Sequence, residues 1–290
     1  MRYEGAVFRP PSEANSLIIQ LTIGCARNTC TFCYMYKDKK FRVRNLKEVV
    51  EDIKIAENYY PQNYIKRLFL ADGDALIVKT EDLLYVINEA KKSFPEIERV
   101  SVYAAPKDIL TKSLDDLIAL KKAGLKLVYV GLESGDDQVL KDVKKGVTAA
   151  EMVEAGKKVK AAGMELSMMI ISGLGGKPRL KEHAINSAKV ISAIKPDFLG
   201  FLTLRFFSGT ELNDDYQSGK FIPISVPEIM EEMTLFLKNV DSDGTIFRAN
   251  HASNYLVLKG TLNKDREKLL KAVEDAKNTN NFRKYVELGF

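Results

Sequence analysis

The chain has 290 residues, 46% hydrophobic and 29% charged, with a formal net charge of +5 and a sequence pI near 8.8. It has enough apolar residues for a sizeable core, no run of ~18 apolar residues to span a bilayer, and too little positive charge to name nucleic acid as a partner. Residues 1–8 lack the apolar core of a signal peptide, and three clustered cysteines argue for a reducing compartment over a disulfide framework, so a cytoplasmic protein is expected.

Residues 1–16 read as a lead-in that Arg9-Pro10-Pro11-Ser12-Glu13 keeps out of regular helix. Residues 17–23, Leu-Ile-Ile-Gln-Leu-Thr-Ile, suit a buried strand, and a cysteine-bearing loop follows at 24–36. The spacing of Val49, Val50, Ile53 and Ala56 predicts a helix over 46–60, stopped by Pro61. The alternation then repeats: strand 67–70 and helix 80–94, strand 99–104 and helix 111–123, strand 125–132 and helix 148–162. Strand 164–171 with helix 179–194 and strand 198–204 with a helix from about 227 to 240 complete the series. Gly124 and Gly163 after helices, and Pro196 beyond another, are the expected stop signals.

Six strand–helix units with near-continuous apolar strands predict an α/β protein with a parallel sheet and helices outside. The pattern alone fits an open doubly wound sheet as well as a barrel. The expected division is a lead-in over 1–16, a core over 17–240 and a C-terminal α-rich capping segment over 241–290 with two helices.

Cys25, Cys30 and Cys33 are the only cysteines, in the spacing C-x4-C-x2-C. Three thiolates on one loop can reach a single centre, and soft sulfur selects iron–sulfur clusters, zinc or copper(I). A closed zinc site wants a fourth protein ligand, which neither His183 nor His251 supplies locally. A [4Fe–4S] cube takes four thiolates, so three would leave one iron open to a ligand.

This arrangement resembles the radical S-adenosylmethionine (SAM) superfamily, in the group with oxygen-independent coproporphyrinogen oxidase and Elongator-type enzymes. The commonest family spacing is C-x3-C-x2-C; Phe32, just before the last cysteine, fits the family's aromatic position. The resemblance implies a partial (β/α)6 TIM-like barrel, a [4Fe–4S] cluster on Cys25, Cys30 and Cys33, and SAM on the fourth iron. It implies reductive cleavage of SAM to a 5′-deoxyadenosyl radical that abstracts hydrogen from substrate, with electrons from an external flavodoxin- or ferredoxin-type donor.

Ligands of parallel α/β folds bind at the C-terminal strand ends. Asp72-Gly73-Asp74 resembles the family's Gly-Gly-Glu-type contact to the methionyl amine of SAM, though it also reads as a plain turn. Gly131-Leu132-Glu133-Ser134-Gly135 is similar to the Gly-x-Glu-Ser-Gly segment whose acid contacts SAM. Ser172-Gly173-Leu174 offers bare backbone that would pass the adenine, and Arg205 would hold the SAM carboxylate or an anionic substrate. Tyr103 and His251 are the catalytic candidates, and Lys37 to Arg44 is a basic run beside the cysteines.

With no cysteine left for a second cluster, the sequence favours a minimal radical SAM oxidoreductase, isomerase or lyase acting on a small, anionic substrate. An RNA-modifying radical enzyme is the second choice, and a zinc-binding, non-radical module the third. No membrane partner is expected.

Overall fold

The computed structural model describes residues 1–283. In chain order the elements are β1 (Leu17–Gln20), β2 (Thr22–Ile23), β3 (Arg42–Val43), α1 (Leu46–Tyr59), β4 (Arg67–Ala71), α2 (Thr80–Ser93), β5 (Arg99–Tyr103), α3 (Pro106–Thr111), α4 (Leu114–Ala123) and β6 (Leu125–Glu133). There follow α5 (Asp137–Asp142), α6 (Ala149–Ala161), β7 (Glu165–Ser172), α7 (Leu180–Ile194), β8 (Phe198–Thr203), α8 (Glu211–Gln217), α9 (Val226–Asn239), β9 (Ile246–Ala249), β10 (Leu258–Thr261) and α10 (Arg266–Thr279). Among the described residues no helix is long and apolar enough to cross a membrane.

The residues fall into two compact units. The first comprises Met1–Asn28, Met35–Val130 and Lys157–Leu166. Its strands β1, β4, β5 and β6 pair in parallel, with Ile19 beside Leu70, Phe69 beside Ser101 and Val102 beside Val128. These strands are apolar because both of their faces are covered, and Leu68, Leu70, Val100 and Val102 are fully buried. Helix α1 starts where the Asn45 side chain accepts the Lys47 N–H, and it buries the Val49, Val50, Ile53 and Ala56 stripe. Helix α4 starts at a reciprocal Ser113–Asp116 capping box, which is why it opens at Leu114 and leaves Pro106–Thr111 as a separate short helix.

The lead-in does more than precede the first strand. Glu13, fully buried, accepts from Tyr129 Oη at 2.6 Å and Arg99 Nη2 at 2.7 Å. Tyr129 also stacks edge-on with Tyr103 and Phe69.

The second unit comprises Thr29–Tyr34, Gly131–Gly156 and residues 167 onward. Here β7 and β8 run parallel, with Met168 beside Leu199 and Ser172 beside Thr203. Strand β9 joins β8 in parallel and β10 joins β9 antiparallel. Phe201 packs edge-on against both Phe236 and Phe247 to form the centre of this core.

In the segment expected to cap the core with two helices, the described residues hold two strands and then one helix. The reason is a period of two: Phe247 and Ala249 are buried while Arg248 between them is exposed, a strand pattern that a search for helical spacing passes over. Residues 284–290 of that segment lie outside the described residues.

Candidate active site

In the first unit the chain leaves the sheet at Gly24, whose φ of +76° suits glycine. Asp72, at the end of β4 and fully buried, holds this exit: its Oδ2 accepts from Gly24 N at 3.1 Å, Gln20 Nε2 at 2.9 Å and Lys39 Nζ at 2.7 Å. Its own N–H donates to Thr22 Oγ1. Asp72 Oδ1 is buried and has no hydrogen-bond partner among the described residues. Gly73 donates to the Gly24 carbonyl, which fixes the turn against the start of the cysteine loop.

Asp74 points into the protein. Its Oδ1 accepts from Ala105 N at 3.1 Å, and its carboxyl hydrogen-bonds that of Asp108, on α3. Burial, and then the Asp108 carboxyl, push Asp74 up to about 8, so it holds a proton at neutral pH. Asp108 Oδ1 in turn lies 3.5 Å from Arg27 Nη2, on the cysteine loop.

The basic run is largely spent on structure. Lys39 belongs to Asp72, Arg42 pairs with Glu4, and Arg44 is buried against Asp52 at 2.9 Å. Lys37 donates to the Asn28 carbonyl. A cavity of about 650 Å³ lies along this loop, lined by Met35, Lys39, Lys40 and Phe41 among others, but the strand-end residues singled out for SAM do not line it.

Cys25 belongs to the first unit, Cys30 and Cys33 to the second, and all three are half-buried thiols outside any disulfide. Among the described residues no set of three Cys, His, Asp or Glu side chains is gathered around a metal-sized space. Residues 29–34 are fastened by Thr31 N donating to the Val143 carbonyl and Leu212 N to the Thr31 carbonyl, each at 3.0 Å. Phe32 packs on the apolar cluster of Val139, Val143, Ile171, Leu174 and Leu212, so both Phe32 and Leu174 anchor by packing.

At the end of β6, Glu133 has a φ of +63° and pairs through Oε1 with Lys145 Nζ at 2.9 Å. A side chain at Gly131 would meet the Glu133 carboxylate and the Lys145 ammonium, so either that ion pair or the new side chain would have to shift. Ser134 is fully buried: its hydroxyl contacts His183 Nδ1 at 2.8 Å and accepts from Asp136 N at 3.0 Å. At the end of β7, Gly173 has a φ of +85° and donates its N–H to both oxygens of Glu232, at 3.0 and 3.2 Å, while the Ser172 side chain bonds the same carboxyl.

Beyond β8, Arg205 stands 5.7 Å from the Tyr255 ring and lines a cavity of about 450 Å³ with Ser172, Gly173, Thr203 and Tyr216. His251 Nδ1 accepts from Ser253 N at 3.1 Å. Burial, and then Arg205, hold the imidazole below its ordinary range. Tyr103 belongs to the aromatic group in the first unit, 5.2 Å from the Phe69 ring. Lys145, Asp108, His183 and Glu232 escape a reading by motif. The one available sign is a titratable residue on an otherwise apolar helical stripe, as Glu232 is among Ile229, Met233 and Phe236.

A family model described as the radical SAM superfamily matches residues 19–187, more than half of the chain. Among curated proteins, the chain is 27% identical over 161 residues to a putative methylthiotransferase of Methanocaldococcus jannaschii, covering 52% of this chain and 34% of that protein. It is 28% identical over 189 residues to a tRNA-2-methylthio-N(6)-dimethylallyladenosine synthase of Fusobacterium nucleatum, covering 62% and 41%. The chain thus spans about a third to two fifths of the length of these relatives. Its fold resembles that of Escherichia coli coproporphyrinogen III oxidase with a TM-score of 0.56 at 16% identity, over 77% of this chain and 52% of that one. That likeness, with the mostly parallel strands above, bears out the partial TIM-like barrel expected from the sequence.

Proposed function

Because the chain belongs to the radical SAM superfamily, whose cofactors are a [4Fe–4S] cluster and SAM, we propose that Cys25, Cys30 and Cys33 hold the cluster. In the same reading the segments around Asp72, Glu133 and Gly173 hold SAM, and the reaction removes hydrogen from a small, anionic substrate. The observation that carries this is the reach of the family match, 19–187, which takes in all three cysteines and all three segments.

The residues fit the cofactors. Three half-buried thiols outside any disulfide are a soft donor set suited to iron–sulfur, and Asp72 Oδ1 is a buried acceptor in want of a donor such as an ammonium. When bound, the cluster and SAM supply a carbon-centred radical that can take a hydrogen atom from an unactivated C–H bond. The chain's own work is to orient and to enclose. Lys39, Gln20 and the Gly24 amide hold the Asp72 carboxylate in one place. Lys145 holds Glu133 in place. Arg205, near the His251 imidazole, is placed to receive an anionic group in its cavity.

A second reading, methylthio transfer to RNA, is favoured by the names of the two curated relatives, one a putative methylthiotransferase and the other a tRNA-2-methylthio-N(6)-dimethylallyladenosine synthase. All three cysteines of this sequence sit in one loop, and the main reading assigns them to one cluster. Anaerobic reconstitution, then SAM with a strong reductant, tests the main reading. It expects 5′-deoxyadenosine, lost in Cys33→Ala. Protein with a full cluster that neither binds nor cleaves SAM would end it, and transfer of a methylthio group to RNA would favour the second.

A further inference from the structure

Helices α7 and α9 each carry one titratable residue in the middle of an apolar face, His183 beside Leu180 and Ala184, and Glu232 between Ile229 and Phe236. Burying either group without partners carries a desolvation cost large enough to force it neutral. Both are more than nine-tenths buried, and each is partnered. His183 Nε2 lies 3.7 Å from Glu232 Oε1, and the ring also hydrogen-bonds the Ile171 carbonyl. Burial takes His183 down to about 4 and Glu232 up to about 8, so at neutral pH the pair is an imidazole beside a carboxylic acid and not an ion pair.

What these two groups hold is one turn and one strand end. His183 takes the Ile171 carbonyl and Glu232 takes the Gly173 N–H, two points on the turn that ends β7. The other ring nitrogen of His183 takes the Ser134 hydroxyl, next to Glu133 at the end of β6. Helix α7 is drawn close here: a Cβ on Gly135 would stand 2.4 Å from the Asn186 carbonyl oxygen, and Gly135 N donates to Ser187 Oγ. A core needing only apolar packing would have no use for three polar side chains in series, two of them aimed at the turn after β7, whose Ser172 and Gly173 line the cavity of about 450 Å³.

We propose that Glu232 and His183 are positioning residues, which through Ser134 and the Gly173 amide hold the ends of β6 and β7 in one register for the ligand that lies over both. On the reading above, on which this rests, that ligand is SAM.

The test uses cluster-reconstituted protein and equilibrium SAM binding, with iron content and amide exchange at Gly173 measured alongside. Glu232→Asp keeps the carboxyl but draws it back from Gly173. It is expected to raise the Kd for SAM about tenfold, the worth of roughly one hydrogen bond, to speed Gly173 exchange, and to leave iron content unchanged. Glu232→Gln, neutral and of the same length, is expected to restore wild-type binding. Should Glu232→Asp fail to fold, Ser134→Ala decides on the same readouts. A folded Glu232→Asp or Ser134→Ala protein with full iron and wild-type SAM affinity overturns the proposal alone. Wild-type protein with a full cluster and no SAM binding overturns the reading beneath it, and the proposal with it.

Discussion

Gly73 lies so close to Tyr36 that a Cβ on it would stand 2.5 Å from ring atom Cε2. Tyr36 is itself buried, packed edge-on by Phe8, and its carbonyl accepts from Asn28 Nδ2 and Lys39 N. The ring therefore has nowhere inexpensive to go. Gly73→Ala is expected to cost about 1–3 kcal/mol of stability as overpacking, read as a lowered urea midpoint at constant slope. Tyr36→Leu should relieve part of that cost when the two are combined. Strict additivity in the double-mutant cycle would show that the ring is not the obstacle.

Asp74 makes stability depend on pH in a direction opposite to that of most carboxylates. Its folded value stands at about 8, against 3.8 for an ordinary aspartate. Between about pH 4 and pH 8 the unfolded chain gives up this proton while the folded chain keeps it, so stability is full below the window and falls as pH rises through it. Glu232, raised from 4.5 to about 8, adds a loss of the same sign. Asp74→Asn keeps an acceptor for Ala105 N and a donor for Asp108, and removes only the titration. Urea midpoints at pH 5, 6.5 and 8 should fall less steeply in the variant; parallel slopes would mean that Asp74 is ionised in the fold.

The strand–helix order was legible because helix and strand periods alternate cleanly along the chain, whereas the barrel rested on the resemblance carried by the cysteine loop. The expected helix over 46–60 is observed at Leu46–Tyr59, and the expected strand over 198–204 at Phe198–Thr203. Strand β9 was not, because four residues with an arginine among them carry too short a pattern to stand out. The glycines and acids singled out in the sequence do lie at the ends of β4, β6 and β7, but the sequence did not show their states. Asp72 and Asp74 are two residues apart, yet one is gripped by Lys39 and the other by Asp108. Those partners come from other elements, which no local motif reveals. The same holds for Lys37 to Arg44, whose counter-ions Glu4, Asp52 and Asp72 come from the lead-in, α1 and β4.

Glu133 separates two costs that a single alanine would merge. Its pairing with Lys145 is mostly buried, with 13% and 14% of the two side chains exposed. Glu133→Ala removes the carboxylate and leaves Lys145 without that counter-ion, so both stability and SAM affinity should drop. Glu133→Gln keeps an acceptor for Lys145 and should retain more of the stability, while losing about tenfold in SAM affinity through the missing charge-assisted bond. Equal SAM affinity in Glu133→Gln and wild type would remove Glu133 from the SAM site, whatever its effect on folding.

His251 reports on the charge of whatever enters the cavity lined by Arg205. Because Nδ1 accepts the Ser253 N–H, the resting ring carries its proton on Nε2. Burial is the larger cause of its lowered pKa and Arg205 the smaller. Arg205→Gln should therefore raise the His251 pKa but leave it below the ordinary histidine value, as followed by an NMR titration of the ring protons. An anion seated on Arg205 would act in the same direction, since it stabilises the imidazolium. Inorganic pyrophosphate, as a probe, is expected to raise the His251 pKa in the wild type and to do so much less in Arg205→Gln. A shift of equal size in both proteins would place the anion elsewhere and remove the case for an anionic substrate group at Arg205.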